Sequence, residues 1–417
     1  MAASTWDVVV IGAGAAGLLA AIRAAELGRR TLLLEKNRKP GVKILMSGGT
    51  RCNLTHATDN RGIVEAFGPA GRFLHSPLAA LSVQDTIDLF EVEGVATKVE
   101  TTGKVFPVSN KASDVLAALL RRLGRSGATL APGEPLRDLR WVDGGASGTF
   151  ALTTPQRVLA AQRVILTTGG QSYPGSGTTG DGYGISARLG HTIVIPRPAL
   201  VPLRVDAPWA GGLCGVSLPD VGLRVVEGER VLARARGSML FAHFGLTGPV
   251  VLDVSRAVTR HARPASLGLV CDLLPEQAEL ELDEWLRVES AAWGRKHLAG
   301  LLTVRLPHRL CAILVTLAGM PADRRAAALS RPERAKLISA LKQLRLPIVG
   351  ALGFEKAEVT SGGVALDEVD PRSLESKRRP GLYLAGEILD LDGPIGGYNF
   401  QAAFSTGWLA GAAAARP

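Results

Sequence analysis

Val8-Val9-Val10-Ile11-Gly12-Ala13-Gly14-Ala15-Ala16-Gly17, followed by Thr31-Leu32-Leu33-Leu34-Glu35, decides the fold class of this chain. Val8–Ile11 is an unbroken apolar, β-branched run, as a parallel strand buried on both faces requires. Gly-x-Gly-x-x-Gly comes at once, and an Ala/Leu-rich helix then runs toward Gly28. Thr31–Leu34 reads as the next strand and ends in an acid. Strand, glycine turn, helix, strand and acid together span about one βαβ unit, which predicts an α/β, Rossmann-like domain.

Each part has a physical task. Gly12 permits the tight turn, Gly14 lets the backbone approach a pyrophosphate, and Gly17 lets the helix pack against the strand. The helix start at Ala15 and Ala16 presents free N–H groups and a partial positive charge to a phosphate. Glu35, with Lys36 next to it, stands where a carboxylate can accept hydrogen bonds from both ribose hydroxyls, worth roughly 1.5–3 kcal/mol each. It would also repel a 2′-phosphate. Glycines alone also serve ordinary turns; with strand, helix and acid in place the segment reads as a dinucleotide site.

The far end of the chain separates NAD from FAD. Gly381–Glu387 is an apolar strand running into Gly386 and Glu387, and Gly396-Gly397-Tyr398-Asn399-Phe400-Gln401 opens a helix through about Ala414. Asn399 is a reasonable N-cap, and Gly407 and Gly411 leave a smooth helix face. An acid at a strand end can bond a ribityl chain, and a helix start can stabilise the negative charge of reduced flavin. Arg163–Leu166 ending in Thr167-Thr168-Gly169-Gly170 is a third strand returning to the nucleotide. Gly175-Ser176-Gly177-Thr178-Thr179-Gly180 also spells Gly-x-Gly-x-x-Gly, but no strand immediately precedes it, Pro174 interrupts, and no suitably placed acid follows. It reads as a loop, so no second nucleotide unit is expected.

On longer motifs the sequence resembles the bacterial flavoproteins labelled aminoacetone-oxidase-like or dehydro-bile-acid-reductase-like NAD(P)/FAD-dependent oxidoreductases. The resemblance rests on Lys43-Ile44-Leu45-Met46-Ser47-Gly48-Gly49-Thr50-Arg51-Cys52-Asn53 and on Gly170-Gln171-Ser172-Tyr173-Pro174 with Thr179-Gly180-Asp181-Gly182. Phe241-Ala242-His243-Phe244-Gly245 with Gly248-Pro249, and Glu375-Ser376-Lys377 through Gln401, complete it. It covers essentially the whole chain. It implies an FAD domain built from both chain ends, flavin contacts along Ser47–Asn53 with Lys43 nearby, and adenine contact near Leu136. The family loop usually carries a third glycine where Thr50 stands; if that position needs a positive φ, Thr50 strains the loop. FAD is expected to be non-covalent, although Cys52 and His56 are the side chains a covalent flavin would use.

Between these ends lies an insert. From about Ile193 to Leu273 short apolar runs alternate with Pro and Gly turns, as in a β-barrel or sandwich. From Glu276 to Lys342 the period becomes helical, at Leu280–Leu286, Leu310–Leu317 and Leu337–Leu344. Leu346–Val349 is expected to return through the β-rich part, and Val359–Val364 to rejoin the first domain. The expected division is 1–192 with 350–417 for FAD, 193–273 with 343–349 for the β-rich domain, and 274–342 for a helical one. Inter-domain clefts are the usual pockets, so a substrate is expected where the insert faces the flavin. His243, between aromatic neighbours, and Tyr173 are the candidates for moving a proton. Arg51 suits the flavin phosphates or a substrate carboxylate.

With 417 residues, more than one domain is expected. The formal charge of +10 invites a nucleic-acid partner, but the arginines are scattered along the chain without interleaved aromatics, which favours a solvated basic surface. Four separated cysteines make neither a zinc set nor a Cys-x-x-Cys pair. No metal is expected, a reducing cytoplasm fits, and no apolar run has the length and flanks of a membrane span. The expected function is an FAD oxidoreductase exchanging hydride between flavin N5 and an unidentified small organic substrate, with NAD(P)H or O2 completing the cycle. A flavin-dependent RNA-modifying enzyme and a non-catalytic flavin redox sensor are the alternatives. Oligomeric state is not legible.

Overall fold

The computed structural model describes residues 4–142 and 148–417, and the chain divides into two compact units, 1–197 with 358–417 and 198–357. In the first unit, β1 (Ser4–Ile11), α1 (Ala15–Glu26) and β2 (Thr31–Glu35) form the expected βαβ element. Val8, Val9 and Val10 on β1, and Leu32, Leu33 and Leu34 on β2, are at most 1% exposed. Such side chains each contribute roughly 1.5–3 kcal/mol on leaving water. The two strands pair in parallel, and β1 also pairs in parallel with Val158–Leu166.

Among the described residues this sheet has seven strands. Thr129–Pro132 flanks β2, and a hairpin of Asp138–Val142 and Thr149–Thr153 continues antiparallel from the first half of Val158–Leu166. Leu382–Leu384 pairs in parallel with the second half of that strand, so the carboxyl end of the chain completes a sheet begun at the amino end. The C-terminal helix Tyr398–Ala414 lies on α1 almost backbone to backbone. A Cβ on Gly407 or Gly411 would run into the carbonyl oxygens of Ala16 and Ala20. The smooth glycine face predicted for this helix is used for that approach. Ile193–Ala199 pairs with Val359–Val364 in a separate two-stranded sheet.

The second unit is a closed barrel of Leu203–Val205, Gly245–Thr247, Arg230–Ala242, Ser217–Glu227, Gly268–Asp272 and Leu344–Ala351, in that order around the wall. The last strand is the expected return of the chain. The helices Glu279–Ala292, His308–Leu317 and Arg331–Lys342 appear where the apolar period predicts them, the last behind a Ser330–Glu333 capping box, except that Leu344, expected on the third helix, begins a barrel strand instead. Their Leu282, Leu286, Leu310, Leu314, Leu337 and Leu341 share one apolar cluster with barrel residues such as Leu223 and Leu269. One element departs from the β-rich expectation: Pro249–Thr259 is a helix. Gly248 and Pro249 stop the preceding strand and start the helix, and Val250, Val251, Val254 and Val258 recur at helical spacing and are buried.

Candidate active site

The carboxyl ends of β1, β2 and Val158–Leu166 lie side by side, which is where open parallel sheets bind ligands. The glycines of the first turn divide the work as the sequence suggests. A Cβ on Gly12 would press on the Thr167 carbonyl, and one on Gly17 would collide with the Gly12 carbonyl, whereas one on Gly14 would meet nothing within 4 Å. Two glycines therefore serve packing, and the third leaves an open cradle at the start of α1. The Glu35 carboxylate accepts hydrogen bonds from the Ala13 N–H at 2.7 Å and the Asn37 N–H at 2.8 Å. Each oxygen keeps a lone pair for a ribose hydroxyl. Leu136 is half-buried one strand over, in the segment whose Glu134 N–H bonds the Glu35 carbonyl.

Lys36 is turned elsewhere. Its Nζ donates to Asp181 Oδ2 at 2.6 Å and Thr179 Oγ1 at 2.7 Å, tying β2 to the false glycine motif, which is a loop as expected. Partial burial raises the Asp181 carboxyl, but the bonds from Lys36 and Thr179 outweigh it and hold the group below its ordinary value.

Lys43 and Glu387 form the centre of a network. Lys43 Nζ donates to Glu387 Oε2 at 2.5 Å and to Ser172 Oγ at 2.6 Å. Ser172 Oγ donates to Glu387 Oε1 at 2.7 Å, which also accepts the Thr360 N–H at 2.8 Å. Thr360 Oγ1 in turn accepts the N–H groups of Gln171 and Ser172. Four distant segments thereby converge beside Gly170, where a Cβ would strike Thr360. Ser172 and Thr360 were not singled out as site residues: nothing local marks a buried threonine of the strand Val359–Val364 as the partner of a distant loop.

The Ser47–Asn53 loop is bent by a run of left-handed residues, Gly48 (φ 56°), Gly49 (φ 65°), Thr50 (φ 67°) and Cys52 (φ 60°). Thr50 stands in the conformation that favours glycine, so the strain anticipated there is present. Arg51 is held by Glu100 at 2.6 Å and lies 4.0 Å over the Phe106 ring. Cys52 is fully buried, and burial pushes its thiol up to about 12 against the opposing bond with Ser47, which unsuits it to covalent attachment.

At the start of the C-terminal helix the N-cap is Gly397 (φ 99°), not Asn399. Asn399 braces the preceding loop instead, accepting from the Gly393 N–H and donating to the Gly393 and Pro394 carbonyls. A Cβ at 397 would collide with the Thr55 backbone, so the cap must be glycine. Tyr398 stacks on His56 at 4.6 Å, His56 Nδ1 lies 3.1 Å from the Gly396 carbonyl oxygen, and Phe400 packs against Phe404. Gly386 donates its N–H to Thr406 Oγ1 and approaches Ala16 closely.

The fit to a dinucleotide flavin rests on this geometry. Besides the cradle at Gly14, the buried Thr168 Oγ1, Asn53 Oδ1 and Thr55 Oγ1 have no partner within the protein. Thr168 adjoins Gly12 of the first turn, Asn53 closes the Ser47–Asn53 loop against Gly48, and Thr55 lies behind Gly397. Of the two proton-transfer candidates, Tyr173 has a left-handed backbone (φ 55°) and a half-buried side chain. His243 belongs to the second unit, where its ring is exposed and packs edge-on against Phe244 at 4.8 Å. Among the described residues no cluster of three or more metal-ligating side chains occurs, and no helix is long and apolar enough to cross a membrane.

Comparison with known proteins adds the decisive observation: residues 6–413 match the model of the HI0933-like protein Rossmann domain. The chain belongs to the HI0933-like Rossmann family. This is a family of FAD-dependent oxidoreductases, and the resemblance found in the motifs is borne out. Among curated members, the ribosomal RNA dihydrouridine synthase of Escherichia coli K12 is 34% identical over 97% of this chain and 96% of its own length. The 3-dehydro-bile acid delta(4,6)-reductase of Clostridium scindens is 32% identical over 97% of this chain and 98% of its own. The 3-ketosteroid-delta4-(5alpha)-dehydrogenase of Rhodococcus jostii RHA1 superposes on this HI0933-like chain with a TM-score of 0.55. At 15% identity, over 99% of this chain and 97% of that one, it supports the fold alone.

Proposed function

We propose that this chain is an FAD-dependent reductase that saturates a carbon–carbon double bond conjugated to a carbonyl, and that its substrate is a uracil base of ribosomal RNA. Two curated relatives matched along nearly the whole chain bear names for one change of bond. Dihydrouridine is uridine with its ring double bond saturated, and a delta(4,6)-reductase of a 3-dehydro bile acid saturates double bonds in line with a ketone. That shared bond change is the observation behind the proposal. The net positive charge favours the polyanionic substrate of the two.

Bound FAD would supply the hydride, with NAD(P)H as the proposed source of electrons. The chain's own residues are assigned accordingly. Gly12, Gly14, Ala15, Ala16 and Gly17 take the pyrophosphate, Glu35 the ribose, and Leu136 the adenine. Ser47–Asn53, Thr168–Gly170, Gly386 and Gly397–Phe400 enclose the flavin, while Lys43 fixes Glu387 toward the ribityl chain. Lys36 braces the Thr179–Asp181 loop. Tyr173 and His243 are the groups offered for delivering the proton. A cytoplasmic location belongs to the same proposal.

The test uses ribosomal RNA purified from a strain lacking the gene, incubated with enzyme and NADH or NADPH. A nucleoside heavier than uridine by two hydrogens is expected in the digest. Its absence with both nicotinamides would overturn the RNA substrate. The Clostridium relative favours a second reading, a free 3-oxo-4-ene steroid, and loss of enone absorbance when such a steroid replaces the RNA would establish it.

A further inference from the structure

We infer that the outer wall of the barrel carries a phosphate-binding row, Arg234, Arg224 and Arg345, that docks the backbone of the RNA substrate. This inference rests on the RNA reading above.

The row is set by strand register. Arg224 stands directly opposite Arg234 on one side and Val270 on the other, and Val270 stands opposite Arg345. Four neighbouring strands thus place three arginines in one line. Their flanking residues Leu223, Val225, Leu269, Cys271, Leu344 and Leu346 fill the interior, so by the two-residue period of a strand the arginines face outward. Arg234 and Arg345 are exposed and Arg224 is half-buried. Arg224 donates to Gln343 at 2.6 Å, and among the described residues none of the three pairs with a carboxylate.

The next row shows what a neutralised wall looks like. There Arg236 stands opposite Gly222 and pairs with Asp220 at 2.7 Å and with Glu276, while Asp272 pairs with Lys342 at 2.7 Å. Like charges directly opposite across a ladder are unfavourable for the sheet. The Arg224–Arg234 pair therefore works against the barrel's own stability, and a ligand that removes the repulsion supplies its reason. Strands spaced about 4.8 Å apart spread the three guanidinium groups over roughly 14 Å. Their forked donors match phosphate oxygens. No aromatic side chain interleaves them, so the row grips backbone without reading bases.

Fluorescence anisotropy with a labelled ribosomal RNA hairpin tests this. The triple variant Arg224→Gln/Arg234→Gln/Arg345→Gln is expected to bind at least about tenfold more weakly at ~0.1 M salt. The slope of log K against log salt should fall by about 2, at about 0.7 per single-strand phosphate contact. A triple of equal charge loss, Arg61→Gln/Arg140→Gln/Arg287→Gln, removes exposed arginines that already pair with acids, and should leave the slope unchanged. Arg234→Glu separates ligand binding from folding: it sets opposite charges across the ladder, so thermal stability should rise while RNA affinity falls. If the wild type forms dihydrouridine but the triple variant keeps its slope, the row is wrong and the RNA reading stands. If the wild type does not retain the hairpin at low salt, both fail. If poly-glutamate competes through the same arginines better than RNA does, the partner is an acidic protein and the inference is overturned.

Discussion

Lys43 Nζ lies 2.5 Å from Glu387 Oε2 although 344 residues separate them in the chain. The pair joins the two ends of the flavin-type domain at the point where a strand end meets the candidate ribityl position. Its side chains are 27% and 19% exposed, so solvent weakens the attraction only in part.

Lys43→Met is expected to cost about 1–2 kcal/mol of stability in urea melts, below the full worth of a charge-assisted bond because of that exposure. Glu387→Leu should cost more, since Ser172 and the Thr360 N–H lose their acceptor as well. In the double variant the losses should be non-additive by about 1 kcal/mol. Strict additivity would show that the two do not interact.

Gly14→Val should fold and lose flavin, because the new side chain enters the open cradle and nothing else. Gly17→Ala should instead lose about 3 kcal/mol of stability through its collision with the Gly12 carbonyl. Circular dichroism and visible absorbance of the purified proteins separate the two. A yellow Gly14→Val protein would refute the placement of the pyrophosphate.

Thr50→Gly should stabilise the protein. A left-handed backbone costs an L-residue roughly 1–2 kcal/mol, and the added freedom of glycine in the unfolded chain returns about 0.4–1 kcal/mol of that. A gain of about 1 kcal/mol is expected in thermal or urea melts. A loss would mean that the Thr50 hydroxyl, bonded to the Gly49 carbonyl at 2.6 Å, matters more than the strain.

Glu368 supplies a pH dependence. Burial raises its carboxyl, but bonds from Arg378 and from the Thr192 N–H and hydroxyl prevail and hold it at about 2. A carboxyl depressed in the folded state binds fewer protons than in the unfolded state between about 4.5 and about 2. Its stabilisation is therefore complete above that window and fades as pH falls through it. Glu368→Gln should be less stable than wild type at neutral pH, with the gap closing toward pH 2. A gap independent of pH would be evidence against an ionised Glu368.

The first βαβ element was legible because everything that makes it is local. The turn, the helix start and the acid lie within one short segment, and each constrains its neighbours through backbone geometry alone. The three helices expected in the insert were legible for a similar reason, since apolar period and capping act over a few residues. Asn399 was misplaced as a cap because sequence shows a capping residue type but not which backbone turns left-handed. The helix at Pro249–Thr259 was missed inside a run of short apolar segments, where period is ambiguous over so few residues.

The sequence by itself determined the open glycine turn before α1, the acid that closes β2 and the glycine face of the last helix. Tertiary structure alone decided which residues meet: Lys43 with Glu387, the Ser172 N–H with Thr360, Arg51 with Glu100, and Arg224 opposite Arg234. Arginines scattered along the chain argued against a nucleic-acid surface, yet strand register lines three of them up on one wall. Local contacts are written in neighbouring residues, whereas register depends on how distant strands share one hydrophobic core, and no short stretch of sequence contains that information.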